Sequence, residues 1–359
     1  MDGRLMLFTG RASYYLAQNI LRHLSEYPGL EYAEMFEPEV ITFANENMKV
    51  KIKESVRGAD VFVVQTSANS WHAPNGVNPE SVDPEDAESL GLSENLMELL
   101  IMIDALAGAS AGRITVVCPY FPYVRSDKKD EPRISITARL MAQLFKQAGA
   151  DRVLTVNLHA LQIQGFVPMP CDQLDANNLI AEYFKREYDT SNIGALATDA
   201  GGVKITTVYA EKLKVPLAVC DKRRWADNES PEIRNVIGIE EIKDKDIAIF
   251  DDEILTGGTM TRAIQALREQ FGLSVSYVSC VHPVFSQNAL DRILDAGIER
   301  VVTTDTLPPP ETNDRVHVVS TAPLLAAAIR NIHTNRSVTQ IFKHHGFLLN
   351  PEMSASAGE

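Results

Sequence analysis

The segment Phe250-Asp251-Asp252-Glu253-Ile254-Leu255-Thr256-Gly257-Gly258-Thr259 carries the residue types that would hold a phosphorylated sugar. The apolar run 247–250 before it reads as a buried strand, and Met260, Ala263, Ile264 and Leu267 recur behind it at helical spacing. A helix that opens directly from a strand presents backbone N–H groups, and its dipole favours an anion there. Glycines let a ligand come close to those groups. Thr256, Gly257, Gly258 and Thr259 are therefore candidates for a phosphate. Asp251 and Asp252 stand at the mouth of the same cradle, suited to sugar hydroxyls or a metal. Leu255 puts an apolar side chain where the loop points at its ligand. Two acids before two glycines also make an ordinary polar turn, so the rest of the chain has to decide.

Four further segments carry charge or metal-ligand chemistry at the ends of apolar runs. His159, in Asn157-Leu158-His159, could reach a metal or a phosphate, although a lone histidine is more often structural. Asp199, before Gly201-Gly202, reads as a metal ligand or a helix N-cap. Lys222, Arg223 and Arg224 concentrate three cations in an acidic chain and suit a polyphosphate. The stretch 119–129 mixes Tyr120, Phe121 and Tyr123 with Arg125, Lys128 and Lys129, which suits a nucleotide held by its base and its phosphates.

Positioning these residues requires alternating strands and helices. Apolar runs predict strands at 4–8, 61–65, 113–118, 152–157, 193–198, 216–220, 246–250, 274–280 and 299–303. Helical patterns fall near 13–26, 94–108, 135–149, 175–188, 202–213, 259–270, 286–296 and 322–333. This alternation predicts an α/β fold with mainly parallel sheets, in which ligands bind beyond the carboxyl ends of the strands. The candidate segments follow 118, 157, 198, 220 and 250, which places them on that edge. A polar stretch at 66–93 reads as a surface insertion, with Trp71, His72 and Pro74 available to anchor it or meet a ligand. The small, polar tail from Leu349 reads as disordered.

With 359 residues the chain is long enough for two domains, and 45% hydrophobic with 23% charged residues is the balance of a soluble protein. A net charge of −14 argues against broad nucleic-acid binding. No apolar run approaches the roughly 18–20 residues of a membrane span, and residues 1–5 lack the apolar core of a signal peptide. A cytoplasmic protein is expected. Cys118, Cys171, Cys220 and Cys280 show no metal-ligand spacing; Cys118, Cys220 and Cys280 end apolar runs and read as buried free thiols.

The acidic loop resembles the phosphoribosyl-pyrophosphate motif of type I phosphoribosyltransferases. Together with Glu54–Asp60, Asn95–Leu100, Ala111–Ile114, His159, Asp199, the 220–225 segment and His282–Ser286, it resembles the ribose-phosphate diphosphokinase family over about residues 4–345. The resemblance implies two similar phosphoribosyltransferase-like domains, 1–170 and 171–321, a helix at 322–346 packing back on the first, and a tail at 347–359. It implies transfer of the β,γ-diphosphoryl group of ATP to the anomeric hydroxyl of ribose 5-phosphate, with Mg²⁺, in a homo-oligomer, commonly a hexamer built from dimers. By resemblance His159 and Asp199 are the metal-site residues, and Lys222 and Arg224 stabilise the transferring group. Asp251, Asp252, Leu255, Thr256, Gly257, Gly258 and Thr259 take the sugar phosphate. Arg125, Ser126 and Lys128 take ATP phosphates, and Phe43, Asn45, Glu46 and Asn47 the adenine.

The chain departs from the family pattern inside this site. Leu255 stands where a third acid is usual, Asn157 where an Asp precedes the histidine, Asn45 and Asn47 where acids read the base, and Ser126 where an amide is usual. A polar ligand group left unpaired at Leu255 costs roughly 1–3 kcal/mol. Two other readings use the same residues: a weakly active paralogue regulating a synthase through hetero-oligomers, and a phosphoribosyltransferase.

Overall fold

Strands buried on both faces form the frame. In the computed structural model, which describes residues 3–67, 70–72, 88–223, 232–308 and 313–343, the run Leu5–Thr9 is buried along its whole length, as are Asp60–Val64 and Val275–Pro283. Such strands read as continuous apolar runs because helices cover both faces of a parallel sheet. The chain divides into two compact units.

Unit one contains β1 (Leu5–Thr9), α1 (Tyr14–Ser25), β2 (Glu34–Phe36), β3 (Glu39–Thr42), β4 (Met48–Lys51) and β5 (Asp60–Val64). It continues with β6 (Ser70–His72), β7 (Glu88–Leu90), α2 (Leu92–Gly108), β8 (Arg113–Val117), α3 (Thr137–Ala148), β9 (Arg152–Val156) and β10 (Cys171–Leu174). Its sheet has the order β2-β1-β5-β8-β9-β10, parallel throughout. β3 and β4 form a separate hairpin, and β6 pairs antiparallel with β7 across the polar stretch expected as an insertion.

Unit two contains α4 (Asn177–Glu187), β11 (Ile193–Ala197), α5 (Val203–Leu213), β12 (Leu217–Arg223), β13 (Glu232–Ile237) and α6 (Ile239–Ile242). It continues with β14 (Asp246–Ile254), α7 (Gly258–Phe271), β15 (Val275–Pro283), α8 (Ala289–Asp295), β16 (Arg300–Thr304) and β17 (Val316–Val319). Its sheet has the order β13-β12-β11-β14-β15-β16-β17, with only β13 antiparallel. Without β13, the order and direction of its strands repeat those of unit one. The last helix, α9 (Ala322–His333), belongs to unit one and packs on α1.

The division falls between Asp175 and Ala176 rather than at 170/171. The reason is β10, which closes the first sheet beside β9 although it lacks an apolar run. α9 is fastened to unit one by a buried group. The Asp60 carboxylate accepts Arg113 Nε at 2.7 Å and Nη2 at 2.6 Å and lies 2.8 Å from His333 Nδ1, while Arg113 Nη2 also donates to the Ile332 carbonyl at 3.0 Å. Burial pushes the Asp60 carboxyl up, but hydrogen bonds and charge from His333 and Arg113 outweigh it, and the net direction is down.

Each sheet has one place where the chain reverses direction across it. From β1 the chain passes through α1 to β2 on one side, then returns to β5 on the other; β11, α5, β12 and β14 do the same. Parallel α/β sheets bind ligands at such switch points, outside the carboxyl ends of the strands.

Candidate functional site

The switch point of unit two is lined by Asp199 after β11 and by the acidic loop of β14. β14 runs four residues further than the apolar run 246–250 and ends at Ile254, so Asp251 and Asp252 belong to the strand rather than following it. Asp251 pairs across to Cys280 of β15. The Asp251 Oδ1 accepts the N–H of Asp252 at 2.9 Å, and the Asp252 Oδ1 accepts the N–H of Glu253 at 2.9 Å.

The loop then turns on Gly257, whose φ of +66° is a conformation that L side chains rarely adopt. A Cβ there would also lie 3.2 Å from Ile293 Cδ1 and 3.3 Å from the Ala289 carbonyl, so α8 closes the space behind the turn. The Gly257 carbonyl accepts both the N–H (2.8 Å) and the Oγ1 (2.9 Å) of Thr261, which fixes the first turn of α7. Among the described residues no side chain caps the α7 N-terminus and no acid sits in its first turn. Its start is therefore open to an external anion. Thr256 and Thr259 are exposed, and Leu255 is half-buried.

Charge gathers at this point. Burial, then the hydrogen bond and charge of Asp252, then the charge of Asp199 push the Asp251 carboxyl up to about 8. Asp199 also accepts the N–H of Gly202 at 3.0 Å through Oδ1, but the N-cap of α5 is Gly202 itself, so Asp199 closes the turn before the helix rather than capping it. A carboxyl whose proton affinity is raised by burial and by neighbouring acids marks a place where a divalent cation would relieve repulsion. Among the described residues no group of three or more His, Cys, Asp or Glu side chains forms a ready cage. Mg²⁺ commonly takes one or two carboxylates and completes its shell with water and phosphate, and Asp199 and its acidic neighbours fit that donor chemistry.

Other expected site residues lie in unit one. Phe43, Asn45, Glu46 and Asn47 form the turn between β3 and β4, closed by Phe43 N–H to the Asn47 carbonyl and Glu46 N–H to the Phe43 carbonyl, each at 2.8 Å. The Asn45 Oδ1 accepts the Asn47 N–H at 3.3 Å. With Ser93, Met97 and Ile101 the turn lines an open cavity of about 1010 Å³. Phe43 is 49% exposed, which leaves an aromatic face beside amides and suits a flat heterocycle.

Arg125 and Lys128 are exposed in the segment after β8. Ser126 is turned the other way: its Oγ lies 3.2 Å from Thr137 Oγ1 and accepts the Thr137 N–H at 3.2 Å, anchoring the loop to the start of α3. His159 is exposed after β9, and Asn157, two residues before it, adopts φ +35°, a conformation in which asparagine is enriched. The backbone thus gives a reason for asparagine at 157 that the sequence did not show. Two contacts escaped the sequence reading. Asp127, buried among the exposed cations, accepts Gln162 Nε2 at 2.6 Å, and buried Glu98 binds Arg11. A carboxylate embedded in the run Arg125–Lys129 was the available signal for Asp127.

Lys222 lies in β12 opposite Ile233, just after a register shift between Asp221 and Lys222. Its side chain and all of Arg224 lie outside the described residues, as does the tail at 347–359. Cys118, Cys220 and Cys280 are buried free thiols, as expected, and Cys171 is half-buried. No described helix is long and apolar enough to cross a membrane.

Comparison with known proteins agrees with this arrangement. Residues 5–149 match the N-terminal domain of ribose phosphate pyrophosphokinase, and residues 172–289 match the phosphoribosyl transferase domain. A ribose-phosphate pyrophosphokinase of Caldanaerobacter subterraneus is 40% identical over 340 residues, 94% of this chain and 98% of that one. The enzyme of the same name from Deinococcus radiodurans is 39% identical over 94% of this chain and 98% of its own. The crystal structure of phosphoribosylpyrophosphate synthetase from Mycobacterium smegmatis superposes with a TM-score of 0.77 at 36% identity, covering 92% of this chain and 99% of that one. With both domains matched and identity sustained along nearly the whole length, the chain belongs to the ribose-phosphate pyrophosphokinase family.

Proposed function

We propose that this protein transfers the β,γ-diphosphoryl group of ATP to the anomeric hydroxyl of ribose 5-phosphate, giving phosphoribosyl pyrophosphate and AMP. The observation that carries the reading is the β14–α7 switch point. There an α7 start free of any side-chain cap meets two carboxylates, in a chain whose two halves both match the family.

In the reaction the anomeric oxygen forms a bond to the β-phosphorus, the bond from that phosphorus to the α,β-bridging oxygen breaks, AMP leaves with that oxygen, and the hydroxyl proton is released. The protein's task is to bring several anions into line and offset their charge. The N-terminus of α7 with Thr256, Gly257, Gly258 and Thr259 holds the 5-phosphate, and Asp251 and Asp252 accept hydrogen bonds from ribose hydroxyls. Those donors would lower the Asp251 proton affinity that burial and Asp252 raise. Arg125 and Lys128 face ATP phosphates, and the Phe43–Asn47 turn faces the base. Ser126 acts through its bond to α3 and holds Arg125 in place. Lys222 and Arg224 are assigned to charge on the transferring group. Asp199 and His159 are the residues that would hold Mg²⁺, which would supply positive charge to offset that of the phosphates. We also infer a homo-oligomer, a hexamer built from dimers, in the cytoplasm.

The test is AMP release from ATP, Mg²⁺ and ribose 5-phosphate by purified protein, alongside a panel of other triphosphates and pentose phosphates. Activity with none of them would sink the reading. Lys222→Ala is expected to lose most turnover while still binding ATP.

A further inference from the structure

We propose that Asp127 and Gln162 form a strap that sets the spacing between the two loops facing the triphosphate, and that both are positioning residues for ATP. The proposal rests on the reading above. The loops leave adjacent strands: 118–129 follows β8, and 157–166 follows β9. At their bases they are tied by the Val156 N–H to the Pro119 carbonyl at 3.1 Å. Beyond that tie they carry groups that must act together, Arg125 and Lys128 on one and His159 on the other.

The Gln162 amide spans the gap and donates to Asp127 Oδ2 at 2.6 Å. Gln162 lies three residues beyond His159, in a 3-10 turn whose Ile163 is fully buried and anchors that loop to the core. Asp127 lies between Ser126 and Lys128 and is only 8% exposed, so its carboxylate is turned away from the solvent that Arg125 and Lys128 face. Its neighbour Ser126 fastens the same loop to α3. Two consecutive side chains therefore hold the cationic loop, one to α3 and one to the loop after β9. A negative charge beside an ATP site repels phosphate unless it is engaged elsewhere; the Gln162 amide engages this one.

The experiment combines Asp127→Ala, Gln162→Ala, the double variant and Asp127→Asn, which keeps an acceptor for the Gln162 amide. Each is measured by calorimetric ATP binding, by KM for ATP and for ribose 5-phosphate, and by thermal melting. Loss of a charge-assisted hydrogen bond predicts an ATP dissociation constant raised about ten- to hundredfold in either alanine variant. The double variant should match the singles, Asp127→Asn should regain most of the affinity, and KM for ribose 5-phosphate should move little. Additive effects, an equal rise in both KM values, or ATP affinity unchanged in folded variants would overturn the strap. AMP release by the wild type tests the enzymatic reading separately, since the calorimetric ratio stands without turnover. Wild-type protein that binds no ATP would end both.

Discussion

The two units repeat one six-strand sheet and treat its switch point in opposite ways. In unit two, α7 begins without a side-chain cap, and the carboxylates beside it push Asp251 up to about 8. In unit one the corresponding helix, α2, is closed by its own Glu94, whose Oε2 accepts the Gly91 N–H at 2.7 Å. One turn later buried Glu98 reaches to the segment after β1, where it accepts the Arg11 N–H at 2.8 Å and Arg11 Nε at 2.6 Å. Gln65 fills the space beside Gly10, where a Cβ would come within 2.4 Å of its side chain. Unit one thus carries its own anions at the place where unit two is open to one from a ligand. The same topology yields a helix start with its own acids in one copy and one without them in the other, and a few side chains decide which.

Replacing the built-in anion should have the largest effect. Glu98→Ala removes the carboxylate from a largely buried Arg11 and is expected to cost about 3 kcal/mol of stability. Added sulfate should raise the melting temperature of the variant more than that of the wild type. Equal shifts would mean that Glu98 does not stand in for an anion. Glu98→Gln, which keeps the shape, should lose less.

Next in size is Gly257→Ala, which combines a strained φ, costing about 1–2 kcal/mol, with contact against Ile293 and Ala289. KM for ribose 5-phosphate should rise at least about tenfold by the same arithmetic, with KM for ATP little changed. Gly10→Ala, its contrast in unit one, should lower the melting temperature and leave both KM values near wild type. If Gly10→Ala instead impaired sugar binding, the division of labour between the switch points would be wrong.

The two buried acids predict opposite pH dependences. Asp60 lies below its ordinary 3.8, so its contribution is present above that value and is lost as pH falls through its folded pKa. Asp251 lies above 3.8, so its contribution is full below that value and falls as pH rises toward about 8. Melting of ligand-free protein from acid to mildly alkaline pH should show an Asp60→Asn variant flattened on the acid side and an Asp252→Asn variant flattened on the alkaline side. Indistinguishable profiles would contradict the assignment.

The smallest effect concerns Leu255. In ligand-free Leu255→Asp a further carboxylate should move the Asp251 titration upward, as read by carbon NMR of the carboxyl group. No movement would show that residue 255 faces away from the acids. A large gain in AMP release in the same variant would favour the weakly active paralogue.

Much of this arrangement was legible beforehand, for a physical reason. β1, β5, β8, β9, β11, β14, β15 and β16 are buried on both faces, so burial wrote continuous apolar runs into the chain. β2, β10 and β17 were hidden because edge strands such as Glu34–Phe36 and Cys171–Leu174 keep partly exposed residues and need no such run. The β14–α7 turn was legible because a strand that passes straight into a helix needs glycine at its bend, where Gly257 has φ +66°. Ser126 was read only as a phosphate contact, since nothing local reveals that Thr137, eleven residues on, takes its hydroxyl. The repeat was legible only through the family resemblance and not from any period in the residues, because two sheets can share an order without sharing side chains.

The position of α9 has a consequence for how the protein is made. The helix that covers α1 leaves the ribosome after all of unit two, whereas α4, which packs on α5, is synthesised at the start of the unit it belongs to. Unit one is thus begun before unit two and completed after it, holding an uncovered α1 face while all of unit two is being made. Termination before Ala322 would leave the later domain with its full set of helices and the earlier one unfinished. Quality control on the nascent chain would meet the N-terminal half as the vulnerable one.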